Sequence, residues 1–203
     1  MPLLLLVCFL FAPLLCHANA HAEPTPSTQN REEAIMFTAP SVEEFVAAAW
    51  HGNATVVDFY LHAGINPDVT DANKRTALWA AAVQGHMAIL QSLLARGSNV
   101  NLSDKDNVSP LRAAASQGYL NAVNALLAKG ANVNLADKDG RTPLRMAAAK
   151  GDLDIVRALF AKGADQQVKD KDGRLPLVVA AAHGHAETVE FLLAEMMQSA
   201  CVK

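Results

Sequence analysis

The chain is 203 residues long, 51% apolar but only 5% aromatic, and carries a formal net charge of −3. That length fits one ordinary domain or one short repeat array, and the lack of a basic excess excludes a general nucleic-acid binder. Alanine and leucine supply the apolar bulk, which favours closely packed helices over a β-sandwich.

At the N-terminus an apolar run over residues 3–15 is followed by Cys16, His17 and the triplet Ala18-Asn19-Ala20. The run is too short to span a bilayer, and the triplet has the small-x-small form of a cleavage site. Residues 1–20 therefore read as a signal peptide cleaved after Ala20, which places the mature chain in a periplasm or outside the cell. No Lys or Arg precedes the run, so an uncleaved anchor and a start codon set too far downstream are the competing readings. Leu15 is too bulky for the position before a lipid-modified cysteine, which argues against lipid attachment at Cys16. After cleavage Cys201 is the only cysteine, so no internal disulfide forms and packing alone must hold the domain. Export without disulfides suits a bacterial periplasm, and nothing in the mature chain calls for membrane insertion. Residues 21–40, with Pro24, Pro26 and Pro40, read as a leader with a short helix over residues 31–36.

Beyond the leader the chain repeats itself. Gly52, Gly85, Gly118, Gly151 and Gly184 are spaced by 33 residues, and Gly64, Gly97, Gly130 and Gly163 form a second series of the same period. Asp71, Asp104, Asp137 and Asp170 make a third, and Leu78, Leu111, Leu144 and Leu177 a fourth that Phe45 extends backwards. Within one period, Thr142 is placed to cap a helix whose first residue, Pro143, loses nothing by lacking an N–H. An alanine-rich helix then runs to Gly151, and a second over residues 153–162 carries Ile155, Val156, Leu159 and Phe160 on one stripe. Asp170, followed by Gly173, marks the tight turn into the next unit.

These residues resemble the ankyrin repeat. The match runs through Thr142-Pro143-Leu144, Ala147-Ala148, Gly85-His86, Leu126-Leu127 and Gly130-Ala131-Asn132-Val133-Asn134. The resemblance covers residues 41–199 and divides them into 41–70, 71–103, 104–136, 137–169 and 170–199. It implies an all-α ankyrin-repeat solenoid of five helix-turn-helix repeats with β-hairpin-like connecting loops, in which stacking supplies the core. Alanines such as Ala81, Ala114, Ala147 and Ala181 are expected to let neighbouring helices approach. Ser41-Val42-Glu43-Glu44 reads as a capping box opening an N-terminal cap repeat. In the last repeat Leu175 takes the place of the hydroxyl residue, while Glu187, Glu190 and Glu195 suggest a polar outer face. The family's usual histidine after Thr-Pro-Leu is replaced by Trp79, Arg112, Arg145 and Val178, which puts its local hydrogen bonds in doubt.

The candidate chemistry is that of binding. His183-Gly184-His185 has no Cys, Asp or Glu at ligand spacing, so no metal is expected, and the Asp-Lys-Asp-Gly turns lack the glycine and glutamate positions of a calcium loop. No nucleophile stands beside a base, and the strict period leaves no inserted loop to carry one, so neither catalysis nor a cofactor is expected.

The resemblance implies partner docking on a concave face made by hairpin tips and the outward positions of the first helices. Transferred to this chain, those positions are Lys74, Arg75, Lys105, Lys138, Arg141, Lys171 and Arg174 at the tips, with Arg112, Arg145 and Lys150 on the helices. Ten of the 17 basic residues thus fall along one groove, tempered by Asp106, Asp139 and Asp172. Either the stripe recruits a protein partner acidic at its contact surface, or the tips are polar simply because they are solvated. Trp50, with His51 beside it, and Trp79 lie at the N-terminal end of this face. Either they anchor the partner, or they seal the cap repeat against its neighbour. The resulting expectation is a monomeric, non-enzymatic module that binds and modulates one protein, as an immunity-type inhibitor or a stabilising partner of an exported enzyme. A secreted effector that binds host proteins is the alternative, and an enzyme the remote one.

Overall fold

The computed structural model describes residues 41–201, with side chains to Gln198. The signal-peptide, leader and short-helix readings fall on residues 1–40 and lie outside the described residues. The described chain forms ten helices: α1 (Val42–His51), α2 (Ala54–His62), α3 (Ala77–Gln84), α4 (Met87–Ala95), α5 (Pro110–Gln117), α6 (Leu120–Ala128), α7 (Pro143–Lys150), α8 (Leu153–Phe160), α9 (Pro176–Ala182) and α10 (Ala186–Cys201). Odd-numbered helices stack on one another as an inner row, and even-numbered helices stack as an outer row. This is the expected all-α repeat solenoid.

Each inner helix starts and stops for a local reason. The hydroxyls of Ser41, Thr76, Ser109 and Thr142 accept from the main-chain N–H three residues on, satisfying a donor that the helix itself cannot. Leu175 supplies no such bond to α9. Gly85 ends α3 at φ 73°, where a side chain would be strained and would also meet the Tyr119 ring. The predicted capping box is half made: Ser41 Oγ accepts from the Glu44 N–H, but the Glu44 carboxylate turns away and accepts from the Tyr60 hydroxyl at 2.6 Å. Burial and that bond push the Tyr60 hydroxyl up to about 12.

The core is one continuous column of small and branched side chains. Ala81, Ala114 and Ala147 are fully buried, so successive inner helices meet with little between them. Ala181 does not extend this column. The residue in register with Ala147 is Ala180, which is buried, whereas Ala181 faces outward from the last repeat. That end is less polar than the glutamates suggested, because Val178, Leu193 and Met197 are 49%, 45% and 70% exposed.

The connections between repeats are tight fingers rather than strands. Among the described residues the one antiparallel bridge joins Thr70 and Thr76. In each finger the aspartate N–H donates to the carbonyl four residues on, from Asp71 to Arg75, Asp104 to Val108, Asp137 to Arg141 and Asp170 to Arg174. The turn inside needs a positive φ. Gly140 and Gly173 provide it in the last two fingers, whereas Lys74 at 59° and Asn107 at 60° adopt it in the first two.

Candidate functional site

The four finger aspartates organise the face formed by the fingers and inner helices. One oxygen of each accepts the N–H groups two and four residues ahead, which folds the finger around the carboxylate. In Asp71, Asp137 and Asp170 the other oxygen collects arginines. Asp137 Oδ2 takes Arg141 from its own finger at 2.8 Å and Arg112 from the preceding inner helix at 2.5 Å. Asp170 repeats the arrangement with Arg174 at 3.2 Å and Arg145 at 3.1 Å. Asp71 has only its own Arg75, at 2.7 Å. Burial opposes ionisation at Asp71, Asp137 and Asp170, but these donors and charges outweigh it and hold all three below the usual carboxylate range. For Arg112, burial wins and draws its pKa down despite Asp137.

The basic stripe foreseen along this face is therefore largely neutralised within the protein. Arg75, Arg112, Lys138, Arg141, Arg145, Lys150, Lys171 and Arg174, eight of its ten members, form ion pairs. Arg112 is buried and Arg145 nearly so, and neither offers a free charge to a partner. Lys138 sits on Asp106, an exposed contact that lowers the carboxyl and raises the ammonium. Lys105 bonds to Asn73 Oδ1 at 2.8 Å, and Lys150 reaches back to the Gln117 carbonyl at the end of α5. Among the described residues, Lys74 is the stripe cation with neither an ion pair nor a side-chain hydrogen bond, and it is exposed.

His86 and His185 also serve the joints between repeats. Each sets Nε2 on a carbonyl at the end of the preceding inner helix, Trp50 at 3.1 Å and Ala149 at 3.0 Å.

The two tryptophans have different positions. Trp79 is 8% exposed and stacks on Trp50, with ring centroids 6.0 Å apart and planes 15° from parallel. The Arg75 guanidinium lies 5.9 Å from both rings. Trp79 thus seals the joint between the first two repeats, while the half-buried Trp50 and the exposed His51 reach the surface. They line a cleft of about 420 Å³ with Glu43, Val46, Ala47, Ala72 and Arg75. Residues 43, 46, 47, 50 and 51 share one face of α1, and the first finger forms the opposite wall.

The repeat register fails close by. Trp79 stands where Arg112 and Arg145 stand, and Val108 stands where Arg75, Arg141 and Arg174 stand. Asp104 consequently has no ion pair among the described residues, and the buried Trp79 Nε1 has no hydrogen-bond partner there. The cross-repeat arginines could have been found in the sequence. Their spacing of 25 residues occurs twice and is broken once, at Trp79 and Asp104.

Among the described residues no three metal-binding side chains come together, and no helix is long and apolar enough to cross a membrane. The described surface instead offers a cleft with an apolar floor and mixed charge at its rim. A family model described as ankyrin repeats, in three copies, matches residues 45–137 and 129–202. No curated protein matches the chain.

Proposed function

The chain belongs to the ankyrin-repeat family of protein-binding modules, typically not enzymes, and we propose that it binds and modulates one protein partner in the cell envelope. The observation that carries this reading is the cleft at Trp50. Along the same face eight of the ten stripe cations form ion pairs, whereas here Trp50 and His51 remain open beside an apolar floor, and Lys74 on the adjoining finger is exposed and unpaired among the described residues. A half-buried tryptophan at the edge of a preformed cleft has the chemistry of an interface anchor.

The partner meets a surface of mixed sign rather than a uniformly basic groove. An acidic contact on the partner is directed toward Lys74 and the first finger, and away from Glu43 on the opposite wall. The apolar run and Ala18-Asn19-Ala20 support export, and a mature chain with one cysteine suits an envelope compartment. In that compartment the chain acts as a monomer that inhibits or stabilises an exported enzyme.

Capture from an envelope fraction tests the reading. Residues 21–203 serve as bait, beside a Trp50→Ala, Lys74→Ala bait and a bait altered only at the exposed outer-helix residues Asn121 and Asn124. One protein held by the first and third baits and lost by the second supports the cleft. A protein held by all three moves the site elsewhere, and no protein held by any of them overturns the envelope reading.

A further inference from the structure

Successive finger tips are joined by main-chain hydrogen bonds. The N–H groups of Lys105, Lys138 and Lys171 donate to the carbonyls of Asn73, Asp106 and Asp139 at 3.0, 3.0 and 2.9 Å. Each lysine also lays its ammonium toward the preceding tip, at 2.8 Å from Asn73 Oδ1, 2.9 Å from Asp106 Oδ1 and 3.7 Å from Asp139 Oδ1. The four fingers thus form a ladder along the stack, with three rungs, one between each finger and the next.

The ladder has an open first rung. In the first finger the position of these lysines is held by Ala72, and among the described residues no finger precedes it. Ala72 is exposed, and among the described residues its N–H has no hydrogen-bond partner. An uncovered main-chain donor at the end of a ladder is a template for further pairing. Ala72 also lines the cleft, so the open donor and the apolar floor of Val46, Ala47 and Trp50 belong to one surface.

We infer that an extended segment of the protein partner adds to the ladder at Ala72, its carbonyl taking the N–H as the Asn73 carbonyl takes that of Lys105. This rests on the reading of the cleft as the binding site. Such additions draw affinity from the main chain and selectivity from side-chain pockets. The pocket here takes one large apolar side chain against Val46 and Trp50. The adjoining residue of the segment is acidic, because among the described residues Lys74 is the tip cation with neither an ion pair nor a side-chain hydrogen bond, and Glu43 repels a carboxylate on the helix side. The replacement of the column's lysine by alanine at position 72 leaves the rung uncovered for the incoming chain.

The test uses a random-peptide library displayed on phage and panned on the purified chain, followed by binding and amide hydrogen-exchange measurements with an enriched synthetic peptide. The expected peptides pair an aromatic or leucine residue with an adjacent Asp or Glu. Bound peptide is expected to protect the Ala72 amide, and Ala72→Pro, which removes that donor, to weaken binding about tenfold with the melting temperature retained. Should the proline variant fail to fold, protection of the Ala72 amide in the unaltered chain decides the matter. A peptide whose binding leaves that amide exchanging freely overturns the ladder inference, and if Trp50→Ala still abolishes its binding the cleft reading stands. Failure to enrich any peptide also overturns the inference, while the envelope capture judges the cleft reading independently.

Discussion

The guanidinium of Arg112 and the carboxylate of Asp137 meet at 2.5 Å, although they are 25 residues apart and belong to successive repeats. Arg112 leaves an inner helix, and Asp137 holds together the next finger, so the pair fixes the angle between finger and helix at that joint. Arg145 and Asp170 repeat the contact one unit later, and Trp79 with Asp104 interrupts it one unit earlier. The stack is therefore tied by charge toward its C-terminal end and by aromatic stacking at its N-terminal end.

Removal of a finger aspartate should consequently depend on the repeat. Asp137→Ala leaves buried Arg112 without its carboxylate and is expected to cost about 3–5 kcal/mol in urea unfolding. Asp104→Ala removes the two turn bonds but no ion pair, and is expected to cost about 1–3 kcal/mol. Equal losses would show that the cross-repeat arginine contributes nothing.

Acid should loosen the same joints. Asp71, Asp137 and Asp170 have pKa values lowered by folding, so their contribution is present above the unfolded carboxylate value and disappears as pH falls through the folded one. Thermal melts are expected to hold steady above about pH 5 and fall progressively below about pH 4. Asp137→Asn should flatten that fall, and a parent-like acid slope in the variant would contradict the assignment.

The interrupted joint can be repaired. Val108→Arg supplies Asp104 with the in-finger arginine that Asp71, Asp137 and Asp170 already have, and is expected to stabilise the chain by up to about 1 kcal/mol. A loss of stability would mean that the contact of Val108 with the core outweighs the new pair.

Lys74 adopts a left-handed conformation where Gly140 and Gly173 stand in later fingers. Lys74→Gly is expected to raise stability by about 1 kcal/mol and to weaken partner binding, separating fold from function at one position. Asn107→Gly should gain less, because asparagine tolerates this region. If Lys74→Gly stabilises without affecting binding, the free ammonium has no role in docking.

The two tryptophans should separate in the same manner. Trp79→Ala opens the sealed joint and is expected to cost about 3–5 kcal/mol, whereas Trp50→Ala, half-buried at the start, costs less and falls mainly on binding. Thermal melts and partner affinity, measured on both variants, distinguish the roles.

The repeat architecture was legible because its signals are local and recur in register: cap, alanine helix, glycine, apolar helix and aspartate turn. The site was legible in composition but not in electrostatics. A list of basic positions does not show that Arg112 turns inward to Asp137 or that Lys138 reaches back to Asp106, since both partners lie in other repeats. Trp50 lies near the end of one inner helix and Trp79 near the start of the next, and only packing decides that Trp79 is covered and Trp50 open. Ala72 carried its information by contrast, as the one alanine in a column of lysines, with no side-chain chemistry to draw attention to it.

The central claim, that a protein partner docks at the cleft between α1 and the first finger, is tested most directly by site-specific photo-crosslinking in the envelope. A benzophenone amino acid is placed at Ala47 on the cleft wall or at Asn124 on the exposed side of α6, and each chain is produced at equal level in intact cells. The account predicts one discrete crosslinked protein from Ala47 and none from Asn124. The same protein crosslinked from Asn124 and absent from Ala47 would place docking on the outer helices and contradict it.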